Sequence, residues 1–402
     1  MNSRQRILAS VAFQPVDRPP YDFFDEAGDL FVDGRYQPGE RLRLRYAEQV
    51  EARIRFHRKF RTDLIFDAPV LVPSGVPHSV TLAHEGRKIS SPETVLSSIS
   101  GMAWNAMPTP VVGPELLPEQ SRGTVIKKVE WANGHSANEA LDLATGTTDV
   151  LRCAFSSLGD MLTGLDCLAG DLPHADYTFV RQLRSAVGPD VMLSGTLTDP
   201  FSAIGWHLGN EALMYAPYDD PKLLRQLSEA VTEIAIATGL DMVRHGLDMI
   251  RVGAATCCLL SPELYRQFCL PVHQTLVRAI QAAGGLVHLH LCGRVKHLLP
   301  LLAETGAAIL ETITPPPLGD TTLREAKDVV GKTMCLKGNL LPTGGLLNGE
   351  PADCVGEAEA CLRAGAPGGG FILSVADNLA PGTPEDNLAA VAELLQGPSF
   401  SS

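Results

Sequence analysis

Short β-rich runs alternate with longer helix-type patterns through the second half of the chain. Six such runs lie at 191–195, 247–253, 285–291, 307–312, 334–339 and 370–375. Two earlier runs, at 21–24 and 63–68, have the same apolar character. Eight β-runs that each feed a helix are typical of a (β/α)₈ barrel. The hydrophobic pattern therefore predicts an α/β fold of the TIM-barrel type.

The stretches between these runs carry signals for helix starts and ends. Ser261 followed by Pro262 predicts one start, and Gly284 with Gly285 predicts the end of the same helix. The apolar stripe of this helix recurs every fourth residue, at Leu264, Phe268, Val272, Leu276 and Ile280. We expect a kink at Pro271, because proline removes a backbone hydrogen bond. Two capping boxes are predicted, Thr322 with Glu325 and Thr383 with Asp386.

The chain is longer than a barrel requires. A TIM barrel takes about 250 residues, whereas this chain has 402. The excess lies mainly between 70 and 150, where the alternating patches HSVTLAHEG and GTVIKKVEWA occur. These patches predict a β-hairpin insertion over the mouth of the barrel. Because the sequence shows no internal repeat and no linker, we expect a single domain over 1–402.

Composition and charge narrow the classes of function. Lys and Arg number 33 against 46 Asp and Glu, which gives a formal net charge of −13. Such a surface repels phosphate backbones, so nucleic acid is not an expected partner. No apolar span approaches the ~20 residues of a membrane helix, and the apolar run at 7–13 is too short for a secretion signal. Nine cysteines at irregular spacing do not form a disulfide framework, so we expect a cytoplasmic protein.

The motif HLHLCG, at 288–293, carries the candidate chemistry. In a strand, residues two apart share a face, so His288, His290 and Cys292 point the same way. The last two fall at the carboxyl end of the run, where the active groups of a barrel gather, whereas His288 lies deeper and is expected to pack. An imidazole beside a thiolate suits a zinc-like ion. For an isolated pair, a core histidine beside a small buried cysteine remains the ordinary explanation.

Two carboxylates at neighbouring strand ends strengthen the metal interpretation. Glu311 closes AAILET, and Asp377 follows GGGFILSVAD. Their ordinary explanations are a helix N-cap or a charge facing a loop. Cys257 and Cys258 follow the run at 247–253, but adjacent side chains point in opposite directions on an extended segment. At most one of these cysteines could reach the site, and ordinary packing is the favoured explanation for both.

These residues and several longer stretches resemble the uroporphyrinogen decarboxylase superfamily over nearly the whole chain. The similar stretches are SRQRILASVAFQPVDRPP, SPELYRQFCLPVHQTLVRAIQAAGG, HLCG, ETITPPPLGDTTLREAK, KGNLLP, APGGGFILS and GTPEDN. The resemblance implies a (β/α)₈ barrel, in agreement with the strand count, and suggests a homodimer. It also implies one of two chemistries. True decarboxylases shorten the acetate side chains of a tetrapyrrole without a metal, whereas a second group transfers methyl groups between corrinoid proteins and small molecules. That group holds zinc with a His-x-Cys pair and a later Cys.

Several family positions bear on the decarboxylase branch. The family signature Met-Arg-Gln-Ala-Gly-Arg-Tyr corresponds to a stretch that keeps Arg35 but has Phe31 in place of the first arginine. Asp67 matches the family aspartate that would hold pyrrole N–H groups, and Asp377 replaces the late histidine. Asp67 and Asp377 are thus the candidate catalytic residues, and Arg35 joins them as a candidate substrate-binding residue. A substrate with up to eight carboxylates needs several cations, so the missing arginine and the charge of −13 disfavour this branch.

For the methyltransferase branch, His290 and Cys292 match the zinc-binding pair directly. Glu311 lies near the place where the family supplies a further carboxylate ligand. Asp377 stands where the family has its late cysteine, which is a departure from the pattern. A sphere of His290, Cys292, Glu311 and Asp377 has one thiolate, so its zinc would be harder and more Lewis-acidic. Such a metal suits activation of a methoxy or amine group.

The leading hypothesis is a zinc-assisted methyltransferase that moves a methyl group between a small methylated substrate, of methoxy, amine or thiol type, and a corrinoid. Because the sequence lacks an Asp-x-His-x-x-Gly cobalamin-binding motif, the corrinoid would arrive on a separate protein. The alternative is a metal-free decarboxylase or lyase that acts on a carboxylated substrate. A non-catalytic binding protein built on the same barrel is a third class.

Overall fold

A computed structural model shows the fold. The structure describes residues 1–23, 46–66, 68, 155–165, 177–380 and 382–397, and in addition the backbone of seven short strands at 31–32, 35–36, 79–84, 87–89, 124–130, 136–142 and 148–152. In the described residues, no helix is both long and apolar enough to cross a membrane.

Seven parallel strands form the central sheet, and they follow one another in the sheet in chain order. They are β3 (Leu64–Ile65), β9 (Met192–Thr198), β10 (Met249–Gly253), β11 (Leu286–Leu291), β12 (Ile309–Thr312), β13 (Cys335–Leu340) and β14 (Phe371–Val375). Nearly every residue of these strands is buried, since helices cover the outer face and side chains fill the inner one. The predicted α/β fold with a parallel, barrel-like sheet is confirmed.

The predicted run at 21–24 is wrong as a full strand. Among the described residues of that run, only Tyr21 forms a bridge, parallel to Leu373 of β14. On the other side, the carbonyl of Tyr21 accepts a hydrogen bond from the amide of Asp63, next to β3. This segment therefore links β3 and β14 through few hydrogen bonds, so it does not form a longer strand between them.

Helices connect the parallel strands. They are α1 (Ser3–Val11), α2 (Tyr46–Phe60), α3 (Leu158–Thr163), α4 (Thr178–Val187), α5 (Pro200–Leu208), α6 (Asn210–Asp219), α7 (Pro221–Arg244), α8 (Pro262–Leu264), α9 (Leu270–Ala282), α10 (Leu299–Glu304), α11 (Leu323–Val330), α12 (Gly345–Asn348), α13 (Pro351–Gly365) and α14 (Glu385–Gln396). Short 3₁₀ helices at Ala255–Leu259 and Lys296–Leu298 follow β10 and β11.

The remaining strands lie outside the parallel sheet. A five-stranded antiparallel sheet consists of β4 (Ser79–His84), β5 (Arg87–Ile89), β6 (Thr124–Glu130), β7 (Ser136–Asp142) and β8 (Thr148–Arg152). β1 (Phe31–Val32) and β2 (Arg35–Tyr36) form a separate antiparallel pair. The antiparallel sheet occupies the predicted insertion range, and its place over the barrel mouth stays a prediction.

Two of the three predicted helix caps are confirmed and the third is wrong. Ser261 caps α8 and Thr322 forms a reciprocal capping box with Glu325, as the sequence predicts. The capping box at Thr383 is wrong. Its hydroxyl donates instead to the carbonyl of Ala380, and α14 begins without a side-chain cap.

The helix around Pro271 takes an unexpected form. Between α8 and α9 the backbone makes a π-helical turn, Tyr265–Cys269, which places Pro271 in the first turn of α9. In the first turn of a helix the amide has no partner within the helix, so the hydrogen bond that proline cannot donate is not needed there. The kink stays a prediction. The turn also changes the buried face of the helix. Val272 of the predicted stripe is only partly buried, whereas His273 is fully buried.

Candidate metal centre

The curled sheet brings three predicted ligands together. His290 lies in β11, Cys292 follows the last residue of that strand, and Asp377 lies two residues beyond β14. One ligand atom from each of these side chains lies within 4.8 Å of the other two. Because β11 and β14 are separated by two strands, only the curvature of the sheet allows Asp377 to approach the His-x-Cys pair.

Local structure fixes the direction of these side chains. β11 ends at Leu291, and Gly293 has φ +82, a left-handed conformation in which a side chain would be strained. The chain therefore turns away directly after Cys292. At Asp377, one carboxylate oxygen accepts a hydrogen bond from the amide of Asn378 at 2.9 Å. His290 is buried, whereas Cys292 and Asp377 are partly exposed, so the group opens toward solvent on one side.

Glu311 does not belong to this three-residue group. It is fully buried in β12, where its Oε1 lies 3.2 Å from Nδ1 of His290 and 3.0 Å from Nε of Arg251. Its Oε2 lies 2.9 Å from Nδ1 of His288 and 2.9 Å from Nζ of Lys337. The carboxylate of Glu311 thus contacts four side chains, and His290 is the one among them that belongs to the three-residue group. In the sequence His290 and Glu311 are 21 residues apart, but they are direct neighbours across β11 and β12.

A buried ionic network extends from Glu311 along the inside of the sheet. Lys337, in β13, is completely buried, and its Nζ lies 3.1 Å from Oδ2 of Asp22. Asp22 accepts a hydrogen bond from the hydroxyl of Ser374 in β14. Sequence reasoning missed both Asp22 and Lys337. The signal that could have found Lys337 is a lysine inside an otherwise apolar strand run, MCLKGN.

Charge and burial set the protonation of the site. Burial alone would raise the pKa of Glu311, but Lys337 and His288 lower it well below the usual glutamate value. The pKa of His288 is lowered, chiefly by burial, and its Nε2 lies 2.8 Å from the hydroxyl of Ser194. Burial and the nearby Asp377 raise the pKa of Cys292 to about 12. Without a cation, Cys292 is therefore a neutral thiol.

The other candidate residues have separate locations. Asp67 and the side chain of Arg35 lie outside the described residues, so their roles stay predictions. His288 points inward and is hydrogen-bonded, as expected for a packing residue. Of the two adjacent cysteines, Cys257 is fully buried, and Cys258 is close enough to Cys292 to help raise its pKa.

The fold and the group of ligands at the strand ends define an α/β barrel-type protein with a candidate centre in the usual position. Residues 165–397 match the Uroporphyrinogen decarboxylase (URO-D) family. This is more than half of the chain, so the chain belongs to that family. The family resemblance inferred from the sequence is confirmed.

Relatives of both chemical types match the chain. It is 28% identical over 213 residues to the Methylated-thiol--coenzyme M methyltransferase of Methanosarcina mazei, which covers 52% of this chain and 54% of that protein. It is 24% identical over 216 residues to the Methylcobamide:CoM methyltransferase MtbA of the same organism, covering 53% and 60%. A uroporphyrinogen decarboxylase of Salinispora tropica is 26% identical over 269 residues, covering 65% and 69%. The chain thus spans little more than half the length of the methyltransferases.

A solved structure supports the fold along the full chain. A methyltransferase from Methanosarcina mazei superposes with a TM-score of 0.65 over 98% of both chains, at 18% identity. At this identity the superposition establishes the architecture alone.

Proposed function

We propose that the protein is a zinc-assisted methyltransferase that moves a methyl group between a small methylated substrate and a corrinoid carried by a separate protein. The observation that carries the proposal is the group formed by His290, Cys292 and Asp377, whose ligand atoms lie within 4.8 Å of one another at the carboxyl ends of the strands. The methyltransferase relatives support the same branch of the family.

The donor set fits a zinc ion. A catalytic zinc site has three protein ligands and one position for substrate, and imidazole, thiolate and carboxylate are all accepted ligands. Two of these three residues, Cys292 and Asp377, are partly exposed, so a substrate could reach the remaining position. Burial, and after it the charge of Asp377, raise the pKa of Cys292, so the site disfavours the thiolate. A divalent cation would remove this penalty and allow the thiolate to form.

Glu311 is proposed to position His290 rather than to bind the metal. Its contact with Nδ1 leads the ring to coordinate through Nε2, an arrangement common among metal-binding histidines. Arg251 and Lys337 already engage both oxygens of Glu311. This is the difference from the predicted four-ligand sphere, in which Glu311 was a direct ligand.

Bound zinc would supply Lewis acidity, which lowers the pKa of a thiol or weakens the bond from a methoxy or amine group to its methyl carbon. Asp377 holds one negative charge beside the metal where a second thiolate would hold another. Because the carboxylate donates less electron density than a thiolate, the centre favours oxygen or nitrogen substrates. We therefore place methoxy and amine compounds ahead of thiols as substrates.

The alternative proposal is metal-free decarboxylation of a carboxylated substrate. One observation favours it, since the match to the Salinispora tropica decarboxylase covers more of this chain than the matches to the methyltransferases. Against it, Arg251 and Lys337, two buried cations on the described strands β10 and β13, are already paired with Glu311. They are therefore occupied by protein carboxylates rather than held for a substrate.

The test compares zinc content and methyl transfer in the unaltered protein and in Cys292→Ala. Protein is purified without chelator, and zinc per chain is measured by mass spectrometry. We expect Cys292→Ala to contain about one zinc less per chain. Methyl transfer is measured with cob(I)alamin and a panel of methoxy, amine and thiol compounds, from the absorbance of methylcobalamin. We expect at least one donor to react, and about 100-fold less activity in the variant.

Cys354→Ala is the matched control, because Cys354 is a buried thiol on α13, away from the strand ends. It should keep both its zinc and its activity. Equal zinc in the unaltered protein and in Cys292→Ala would refute the metal proposal. Turnover of uroporphyrinogen by metal-free protein would establish the decarboxylase alternative instead.

A further inference from the structure

In the part of the chain that the structure describes, a second group of side chains that could hold a metal ion lies beyond the ends of β9 and β10. Asp199 follows β9, Cys257 lies in the 3₁₀ helix after β10, and His273 lies in α9. One ligand atom from each lies within 4.8 Å of the other two. All three side chains are fully buried, in contrast to the open group at His290. Nothing in the proposed methyl transfer requires them.

The distances in this group decide between a hydrogen-bonded cluster and a cation site. Nε2 of His273 lies 3.3 Å from Oδ1 of Asp199, and Sγ of Cys257 lies 3.6 Å from the same oxygen. A buried imidazolium–carboxylate pair normally closes to about 2.7–2.9 Å. Around tetrahedral zinc, the usual metal–ligand lengths place N and O about 3.3 Å apart and S and O about 3.5 Å apart. The observed separations fit the tetrahedral values, and the contact between His273 and Asp199 is longer than a tight ion pair, whereas the sulfur contact also has the length of a thiol hydrogen bond.

Hydrogen bonds from surrounding groups orient the side chains of Asp199 and His273. The backbone amides of Phe201 and Ser202 donate to the carboxylate of Asp199 at 3.0 Å each. The hydroxyl of Tyr265 lies 2.7 Å from Nδ1 of His273, so Nε2 is the nitrogen directed toward Asp199 and Cys257. Metal-bound histidines and carboxylates characteristically have such outer partners.

Charge balance also favours a cation. A divalent ion bound by one carboxylate, one thiolate and a neutral imidazole gives a net charge of zero, and a second thiolate would leave a net charge of only −1, so the ion lowers the cost of burying these groups.

Cys269, next to Cys257, is a candidate for the fourth ligand. Sγ of Cys269 is fully buried and lies 3.6 Å from Sγ of Cys257, near the about 3.8 Å expected for two sulfurs on one zinc. Tyr265, Cys269 and His273 recur at intervals of four residues, so the π-helical turn and α9 direct them to one side. Cys269 is outside the group of three whose atoms all lie within 4.8 Å, so its side chain must rotate to complete the sphere.

We infer that Asp199, Cys257 and His273, with Cys269 as fourth ligand, form a second and structural zinc site. It fastens the loop after β10 to α9. Cys258, on that loop, is thereby held beside Cys292. The site is closed to substrate, unlike the group at His290, as expected for a metal that stabilises rather than reacts.

The experiment measures metal in a protein whose first site has been removed. In Cys292→Ala, about one zinc per chain should remain, and the further change His273→Ala should remove it. Cobalt(II) is then substituted in Cys292→Ala. Its two proposed thiolate ligands, Cys257 and Cys269, should give intense sulfur-to-cobalt absorption in the near ultraviolet. Cys269→Ser should roughly halve this absorption.

Cys335→Ala is the control, because Cys335 is an equally buried thiol in β13 outside the cluster. The metal content of the unaltered protein gives a second readout if a double variant fails to fold, since His273→Ala alone should lower zinc by about one per chain. Absence of zinc and of cobalt absorption in folded Cys292→Ala would overturn the inference, as would a Cys257–Cys269 disulfide found by peptide mass spectrometry. If Cys292→Ala kept all the zinc of the unaltered protein while His273→Ala lost about one per chain, only the proposed catalytic site would be contradicted.

Discussion

Replacement of Glu311 by glutamine should destabilise the protein more than any comparable change at its surface. The substitution keeps the size of the side chain and removes its negative charge. Glu311 is fully buried and contacts two cations, Arg251 at 3.0 Å and Lys337 at 2.9 Å. Glutamine presents one oxygen and one NH₂ group, so at least one cation would face a donor instead of an acceptor.

The magnitude follows from those contacts. Hydrogen bonds to charged groups contribute about 1.5–3 kcal/mol each. Glutamine can accept from only one of the two cations, so the loss of one charged hydrogen bond and the weakening of the other predict a decrease of about 3–5 kcal/mol in the free energy of unfolding. The same range is typical when one partner of a buried ion pair is removed, because the other charge stays buried without compensation. Asp22 remains beside Lys337 at 3.1 Å and keeps the loss from being larger.

Urea denaturation, followed by circular dichroism, measures this difference at pH 7. The pKa of folded Glu311 is depressed, so its contribution is fully present above the unfolded glutamate pKa of about 4.3. The contribution is lost as the pH falls through the lower folded value. The gap between the unaltered protein and Glu311→Gln should thus be constant from pH 6 to 8 and shrink below about pH 4.

Glu304→Gln is the matched control. Glu304 pairs with Arg266 at 3.5 Å, but both side chains are largely exposed, so a change below about 0.5 kcal/mol is expected. A loss under about 1 kcal/mol for Glu311→Gln would refute the reasoning. It would mean that the buried network carries no net charge at Glu311.

Two further substitutions test other buried contacts. Asp63→Asn should lower the free energy of unfolding by about 3 kcal/mol, because the buried Asp63 pairs with Arg6 and Arg18 at 2.6 Å each. The measurement is urea denaturation, as for Glu311. Tyr177→Phe should cost about 1–3 kcal/mol in thermal or urea unfolding, because the buried hydroxyl donates to Asp241 at 2.7 Å.

Each of these substitutions has an outcome that contradicts it. Tyr215→Phe is the control for Tyr177, since Tyr215 is 59% exposed and its hydroxyl should contribute nothing measurable. Equal losses at the two tyrosines would show that the bond to Asp241 is not the cause. An unchanged free energy of unfolding in Asp63→Asn would show that the pairs with Arg6 and Arg18 do not stabilise the start of β3.

Much of the fold was predictable because its signals are local. The runs at 285–291 and 370–375 correspond closely to β11 and β14, since a parallel strand covered on both faces is a short continuous apolar run. The caps at Ser261 and Thr322 were also found, because a cap depends on residues three apart. The run at 21–24 failed since its pairing depends on strands from the two ends of the chain.

The candidate site was predictable only in part. The alternation in HLHLCG places His290 and Cys292 on one face, a property of any strand. Glu311 shows the limit of such reasoning. Its position at a strand end made it a candidate ligand, but its surroundings include Arg251 and Lys337 from neighbouring strands, which hold both its oxygens. No spacing within the sequence indicates which cations will lie opposite a carboxylate.

The sequence by itself determined the order of strands and helices, the family, and the face on which the His-x-Cys pair lies. Periodicity, capping and strand alternation act over a few residues, so they can be read without knowing the rest of the chain. Only the tertiary structure decided that Asp377 joins the pair, that Glu311 lies behind it, and that Asp199, Cys257 and His273 converge. These contacts join residues 16 to 87 positions apart, and the curvature of the sheet and the packing of helices on it set their distances.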